Sequence, residues 1–184
     1  MDISLSTSSE ALMLDYAKGN SDAFSQLYAL HKGPLFRFIL RQGMQNGHAD
    51  EVFQEIWLKV IKARDSYQSS ARFQTWLYSI ARNHLIDEFR KKAITVVTEY
   101  QEDLTEDLSS KTVEDSLDYD CNKKRLLVKV KALPFEQREA FLLKHEAGMS
   151  NEDIAIVTGT NAETAKSRVR YAINQLKKQL GGSQ

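Results

Sequence analysis

The sequence contains few residues that break helices or cross-link chains. With 2 Pro and 8 Gly among 184 residues, it does not match a turn-rich all-β sandwich, and long helices are favoured. The single cysteine, Cys121, excludes an internal disulfide, and no Cys/His pair has the spacing of zinc ligands. No apolar run is long enough to cross a membrane, and residues 1–9 do not resemble a signal peptide. We therefore expect a cytoplasmic protein without a metal or a cofactor.

Charge is balanced over the whole chain but distributed unevenly along it. Residues 1–92 carry 12 basic and 10 acidic side chains, a net charge of +2. Residues 93–122 carry nine acids and one base, a net charge of −8, and residues 123–184 carry 12 bases and six acids, a net charge of +6. This asymmetry indicates two neutral-to-basic modules joined by an acidic linker. The linker is expected to be flexible, with the β-branched run at 94–98 extended.

Both modules are predicted to be helical. In the first, apolar residues recur at the helical period in a helix that begins near Asp50 and in another over residues 72–90. In the second, Ser150 is expected to cap a short helix that ends before Gly159, and a final helix covers residues 162–180. The predicted fold is all-α: a helical bundle (1–92) and a helix-turn-helix domain (123–184) joined by the flexible acidic linker (93–122).

The final helix has one apolar face and one face suited to nucleic acid. Val169, Ala172 and Leu176 fall within an arc of about 100°. The opposite face and its flanks carry bases, hydroxyls, an amide and an aromatic ring: Thr164, Lys166, Ser167, Arg168, Arg170, Tyr171 and Asn174. Recognition helices present such groups to phosphates and base edges. A solvated face of a bundle helix is the alternative, but the preceding short helix and turn favour DNA binding.

An ordered set of motifs resembles one family. The first module contains ADEVFQEIW at 49–57 and FQTWLYSIARN at 73–83, followed by HLIDEFRKK at 84–92. The second contains Leu133-Pro134 and AKSRV at 165–169. In this order they resemble the extracytoplasmic-function (ECF) sigma factors, a subfamily of the sigma-70-type subunits that direct bacterial RNA polymerase to promoters. The resemblance implies a promoter-specificity subunit without catalytic residues.

The resemblance implies that the helix around residues 49–57 binds the coiled-coil clamp of the largest polymerase subunit. With the apolar stripe facing inward, its outer face carries Glu51, Gln54, Glu55, Leu58, Lys59 and Lys62. Leu58 has no core to enter on that face, which suits an interface. One exposed leucine is equally normal on any protein surface.

Residues 73–92 correspond, by the same resemblance, to the region that opens the promoter and recognises the −10 element. The candidates for DNA contact are Tyr78, Asn83, Asp87, Arg90, Lys91 and Lys92. Tyr78 is predicted to point away from the apolar face and to stack on an unpaired base. Asp87 can accept from a cytosine amine or pair with Arg90 or Lys91 on the helix surface. The basic cluster at 90–92 fits phosphate contacts or a favourable helix end.

For the −35 element, the family's recognition helix matches Lys166, Ser167, Arg170 and Tyr171. Tyr171 stands where many relatives have arginine, and this departure leaves the −35 sequence undefined. The linker of the family threads toward the catalytic cleft, and a charge of −8 suits a positively lined channel. Thirty residues reach up to ~100 Å, enough for elements about 25 base pairs, or ~85 Å, apart. Core polymerase, promoter DNA and an anti-sigma factor are the expected partners.

Two other classes of protein were weighed. A helix-turn-helix regulator that binds duplex DNA without polymerase explains the second module but leaves residues 73–92 unexplained. An enzyme is disfavoured because the chain lacks a Gly-rich phosphate loop and its four histidines are isolated from one another. Those histidines are expected to be solvated or to cap helices.

Overall fold

A computed structural model describes residues 8–98 and 117–181, and every regular element in these ranges is helical. The N-terminal module contains four α-helices, and a 3₁₀ turn at Arg64–Ser66 precedes the last of them. They are α1 (Ser9–Ala17), α2 (Ser21–Arg41), α3 (Asn46–Lys62) and α4 (Phe73–Thr98). The C-terminal module contains α5 (Leu117–Lys131), α6 (Phe135–His145), α7 (Asn151–Thr158) and α8 (Ala162–Gly181). The all-α prediction is confirmed. No helix of the described ranges is long and apolar enough to cross a membrane.

Several helix ends are fixed by side chains that satisfy free backbone N–H groups. The Asn20 carboxamide oxygen accepts from Asp22 N–H at 3.0 Å, so Asn20, and not the expected Ser21, is the N-cap of α2. Ser150 and Asp153 form a reciprocal capping box on α7. Gly159 ends that helix with φ +66°, a left-handed conformation that glycine adopts without a steric penalty. The predicted cap at Ser150 and turn at Gly159 are confirmed.

The N-terminal module has a core that all four of its helices share. Leu27 and Phe38 of α2, Ile56 of α3 and Leu77 of α4 are fully buried. A set of aromatic rings closes one end of this core: Tyr16, Phe24, Tyr28, Phe53 and Trp57. The short α1, which the apolar pattern did not reveal, contributes Leu12 and Met13 to the same core. Because these side chains are buried in the core, the opposite face of α3 and part of the surface of α4 are exposed to solvent.

The C-terminal module packs its helix-turn-helix against α6. Ala165, Val169, Ala172 and Leu176 of α8 are buried, as the apolar stripe predicts. Leu142 and Leu143 of α6 and Ile154 of α7 belong to the same core cluster. Because α7, the turn at Gly159 and α8 are anchored in this way, the opposite face of α8 is held outward.

The boundaries of the linker differ from the prediction. Residues 94–98, expected to be extended, continue α4, because adding a turn to an existing helix avoids the cost of nucleation. Residues 117–122, also placed in the linker, begin α5. The remaining acidic stretch, 99–116, and the side chain of Cys121 lie outside the described residues. The two modules contact each other directly, α4 against α7 and α2 against α5 and α6.

Candidate polymerase and DNA interfaces

The outer face of α3 carries all the side chains that the sequence assigned to polymerase docking. These exposed residues are Glu51, Gln54, Glu55, Leu58, Lys59 and Lys62. Leu58 is 51% exposed, whereas Val52, Ile56 and Val60 on the opposite face are buried. The structure therefore presents a charged surface with one apolar side chain, a composition found at the rims of protein interfaces.

A buried histidine organises part of this face. His84 of α4 is only 3% exposed. Its Nδ1 lies 2.8 Å from Lys59 Nζ, and its Nε2 lies 2.9 Å from Glu55 Oε2. Burial and the neighbouring Lys59 lower the pKa of His84, which favours the neutral ring, whose Nδ1 can accept from the Lys59 ammonium. The imidazole thereby holds Lys59, one docking candidate, and lies beside Glu55, another.

The expectation that the histidines are solvated or capping is wrong for His84. Its position, four residues after Ile80 and seven after Leu77, places it on the apolar face of α4. This helical spacing is the feature of the sequence that indicates burial of His84. His31 is also partly buried, packed 5.1 Å from the Phe73 ring and 2.9 Å from Ser9 Oγ. Burial lowers the pKa of His31 as well.

One group of potential metal ligands was found in the described ranges. Ligand atoms of Glu55, His84 and Glu88 lie within 4.8 Å of one another. Cationic side chains already occupy two of them, since Lys91 Nζ is 2.7 Å from Glu88 Oε1 and Lys59 contacts the imidazole. A metal ion would have to displace both ammonium groups, so the geometry favours a network of ion pairs.

The predicted role of Tyr78 in stacking on a base is contradicted by its burial. Its side chain is 1% exposed and packs edge-on against Phe38, with ring centroids 5.2 Å apart. Burial raises the pKa of Tyr78, and its hydroxyl has no hydrogen-bond partner. Helical periodicity indicated one buried face of α4, but this helix has packing neighbours on more than one side. Tyr78 therefore belongs to the core and does not stack on DNA in this arrangement.

The other −10 candidates lie exposed along the second half of α4. They are Asn83, Asp87, Arg90, Lys91 and Lys92. Lys91 forms an ion pair with Glu88, which lowers the pKa of that carboxyl. The hydrogen bond and charge of Glu88, with smaller contributions from Glu55 and Asp87, raise the pKa of the Lys91 ammonium. The surface thus combines an amide, a carboxylate and basic side chains within about three helical turns.

The exposed face of α8 brings the −35 candidates together. Lys166, Arg170, Tyr171 and Asn174 are exposed, with Tyr171 at 54%. Thr164, Ser167 and Arg168 are half-buried on the flanks. The Arg170 guanidinium lies 5.4 Å from the centroid of the Tyr171 ring, within the range of a cation–π contact.

A residue that sequence reasoning missed orients the start of α8. Asn161 accepts from the Thr164 backbone N–H at 2.7 Å. Asn is a preferred N-cap residue, and its position directly before Ala162 was the available signal. The cap fixes the N-terminal turn of the helix, which is the part of a recognition helix that meets base edges.

Comparison with known proteins places both modules. A model described as sigma-70 region 2 matches residues 27–94, and one described as sigma-70 region 4 matches residues 123–176. The RNA polymerase sigma factor CarQ of Myxococcus xanthus is 30% identical over 167 residues, covering 90% of this chain and 94% of that protein. The ECF RNA polymerase sigma factor SigW of Bacillus subtilis is 28% identical, covering 89% and 91%.

A solved structure agrees with these matches. The sigma factor RpoE of Bartonella quintana, crystallised with the anti-sigma factor NepR, superposes with a TM-score of 0.73 at 26% identity. The superposition covers 88% of this chain and 98% of that one. The region 2 match contains the candidate docking face of α3 and the exposed half of α4, and the region 4 match contains most of the helix-turn-helix. The chain therefore belongs to the extracytoplasmic-function sigma factors, within the sigma-70 family of RNA polymerase sigma factors.

Proposed function

We propose that the two modules divide promoter recognition between them. The observation that carries this division is the outward face of α8, where Lys166, Arg170 and Asn174 stand beside an exposed aromatic ring. An arginine can bind guanine bidentately in the major groove, and an asparagine can bind adenine in the same way. The C-terminal module (123–184) reads the −35 duplex with this face.

The N-terminal module (1–92) docks on core polymerase and acts at the −10 element. The exposed face of α3 supplies the docking surface, with Leu58 as its apolar contact and His84 accepting a hydrogen bond from Lys59. The exposed −10 candidates on α4 then lie beside the docked surface, where they contact a separated strand. Tyr78 is not part of this site, since its ring is buried.

The protein supplies recognition and strand opening, while RNA synthesis stays with the polymerase in the cytoplasm. The acidic segment 93–122 joins the modules and is drawn toward positively charged channels of the polymerase. RpoE of Bartonella quintana was crystallised with an anti-sigma factor. We propose that an anti-sigma factor also binds this chain.

A transcription assay tests the proposal. Purified core polymerase is combined with a promoter library, with and without the full chain. New run-off products from particular promoters support the proposed function and give both recognition elements together. Tight duplex binding by the chain alone, without polymerase binding or new transcripts, would favour the regulator instead.

A further inference from the structure

Four ion pairs join the two modules, with arginines on the N-terminal side and carboxylates on the C-terminal side. The N-terminal module contributes an arginine surface, defined here as Arg37, Arg41, Arg72 and Arg82. The C-terminal module contributes three covering carboxylates, defined here as Glu139, Glu146 and Asp153. Each of the four arginines forms an ion pair with one of these carboxylates. The contact is therefore electrostatically complementary at these pairs.

The arginines come from α2, from α4 and from the residue just before α4, and the carboxylates lie on both sides of the turn before α7. Arg37 Nε donates to Glu146 Oε2 at 2.9 Å, and Arg41 contacts the other oxygen of the same carboxylate. Arg82 Nε donates to Glu139 Oε1 at 2.9 Å. The carboxylates lie seven residues apart in sequence, at positions 139, 146 and 153, so they distribute negative charge across the interface.

Asp153 connects α7 to the beginning of α4. Its Oδ1 accepts from Thr75 Oγ1 at 3.1 Å, and its Oδ2 lies 3.4 Å from Arg72 Nη1. Thr75 is buried by this contact. The same carboxylate also completes the capping box with Ser150, so the start of α7 is placed directly against α4.

This closed arrangement of the two modules is incompatible with simultaneous binding of the −10 and −35 elements. If the modules read the −10 and −35 elements, as proposed above, they must lie ~85 Å apart on a duplex that rises ~3.4 Å per base pair. Modules joined by direct ion pairs do not satisfy that spacing. They must separate, and separation removes the carboxylate partners of all four arginines.

The buried carboxylate of Glu139 is only partly hydrogen-bonded in the interface, which favours separation of the two modules. Glu139 is 1% exposed, and its Oε2 has no hydrogen-bond partner. Burial raises the pKa of Glu139 despite the opposing effect of Arg82. A buried carboxylate with only one of its oxygens paired carries a desolvation cost that is recovered when water returns.

We propose that the arginine surface is a second DNA-backbone site, which binds promoter phosphates after the modules separate and is covered by Glu139, Glu146 and Asp153 in the free protein. Guanidinium groups bind carboxylate and phosphate with the same donor geometry. The covering carboxylates therefore occupy the positions that phosphate oxygens take in the open form. This site rests on the proposed function and extends it to residues outside the −10 and −35 candidates.

The first test is a charge reversal that opens the modules. Glu146→Lys places an ammonium beside Arg37 and Arg41, and it suits its position because a cation is favourable at the C-terminus of α6. The full-length variant should show a larger radius of gyration by small-angle X-ray scattering. It should also bind a fluorescent 20-nucleotide single strand or its duplex about tenfold more tightly at low salt, since uncovered arginines displace counterions.

The matched control is Asp22→Lys, which changes the net charge equally. Asp22 is exposed at the start of α2, about 20 Å along the helix from Arg37 at 1.5 Å per residue. It should leave the radius of gyration unchanged and raise DNA affinity by less than about twofold.

A second pair of variants assigns the gained affinity to the arginine surface. Adding Arg41→Gln and Arg72→Gln to Glu146→Lys should abolish most of the gain. Adding Lys18→Gln and Lys32→Gln, which remove the same charge from exposed sites elsewhere, should preserve it.

Three outcomes overturn the proposal. They are a Glu146→Lys chain that stays compact, an open Glu146→Lys chain with no gain in DNA affinity over the control, and a gain in affinity that survives loss of both arginines. Run-off transcription with core polymerase, measured on the unaltered chain in parallel, reports on the proposed function separately. A chain that supports transcription but fails any of the three tests retains its function and lacks this second site.

Discussion

At the scale of single residues, Glu10 connects α1 to the first turn of α4. Its Oε1 accepts from the Phe73 backbone N–H at 2.9 Å. Burial alone would raise the pKa of Glu10, but hydrogen bonds from Phe73 N–H and from other groups lower it overall. A carboxylate at a helix N-terminus both satisfies a free donor and complements the helix dipole.

We expect Glu10→Gln to reduce the free energy of unfolding by about 1 kcal/mol at neutral pH. Because folding lowers the pKa of Glu10, its stabilisation is present above the ordinary value of 4.5 and is lost as pH falls below it. Urea unfolding of the unaltered chain and the variant, at pH values above and below 4.5, measures the difference in their free energy of unfolding. An equal difference at all pH values would show that the carboxylate charge does not contribute.

Tyr78→Phe tests whether this side chain belongs to the core and not to the DNA interface. The hydroxyl is buried without a partner, so its removal should leave the melting temperature unchanged or raise it. Promoter opening should also be unchanged. Tyr78→Ala should instead destabilise the N-terminal module by about 3–5 kcal/mol through the cavity it leaves beside Phe38. A specific opening defect in Tyr78→Phe with unaltered stability would contradict the assignment to the core.

At the scale of elements, the proposed roles of α8 separate base reading by Arg170 from phosphate contact by Lys166. Arg170→Ala should cost about 1–3 kcal/mol in binding of the correct −35 duplex and relax specificity at one base pair. Lys166→Ala should weaken binding to all sequences and reduce the salt-dependence slope by about 1. Fluorescence anisotropy of the polymerase complex on matched and mismatched duplexes measures both effects.

Lys177→Ala provides the control for charge on the same helix. Lys177 is exposed near the end of α8, about two turns beyond Arg170 at 3.6 residues per turn. We expect little change in specificity from this variant. Equal losses from Arg170→Ala and Lys177→Ala would show that only the net charge of α8 matters.

At the scale of the whole molecule, closure of the modules should depend on pH through Glu139. Burial raises the pKa of Glu139 in the closed form, and Arg82 and Arg168 offset this only in part. Separation removes Arg82 and rehydrates the carboxyl, so the closed form binds the proton more tightly than the open form. Closure should therefore strengthen as pH falls from neutral through the raised pKa toward the ordinary value of 4.5.

Scattering measurements from about pH 7.5 to about pH 5.5 test this dependence. The radius of gyration should decrease with falling pH in the unaltered chain. The glutamine of Glu139→Gln resembles a protonated carboxyl group, so this variant should lose most of the pH-dependent change in the radius of gyration. A chain that opens as pH falls would show that another titrating group controls closure.

The sequence alone determined the helical class, the stripes of α3 and α8 and the exposed faces opposite them. Helical periodicity is sufficient for these features, because each of these helices buries one main face in its own module. Glu51 and Lys62 on α3 and Arg170 on α8 are exposed for that reason. The motifs that resemble ECF sigma factors were also readable without coordinates, since they follow the chain order.

Only the tertiary structure decided how α4 is used and how the modules meet. The helical pattern identified the face of α4 that carries Leu77 but not the neighbours that bury Thr75 and Tyr78. It also gave no partner for Glu139, because Arg82 lies 57 residues away in sequence. Contacts between segments distant in the chain depend on the three-dimensional placement of both, and a one-dimensional period contains no information about that placement.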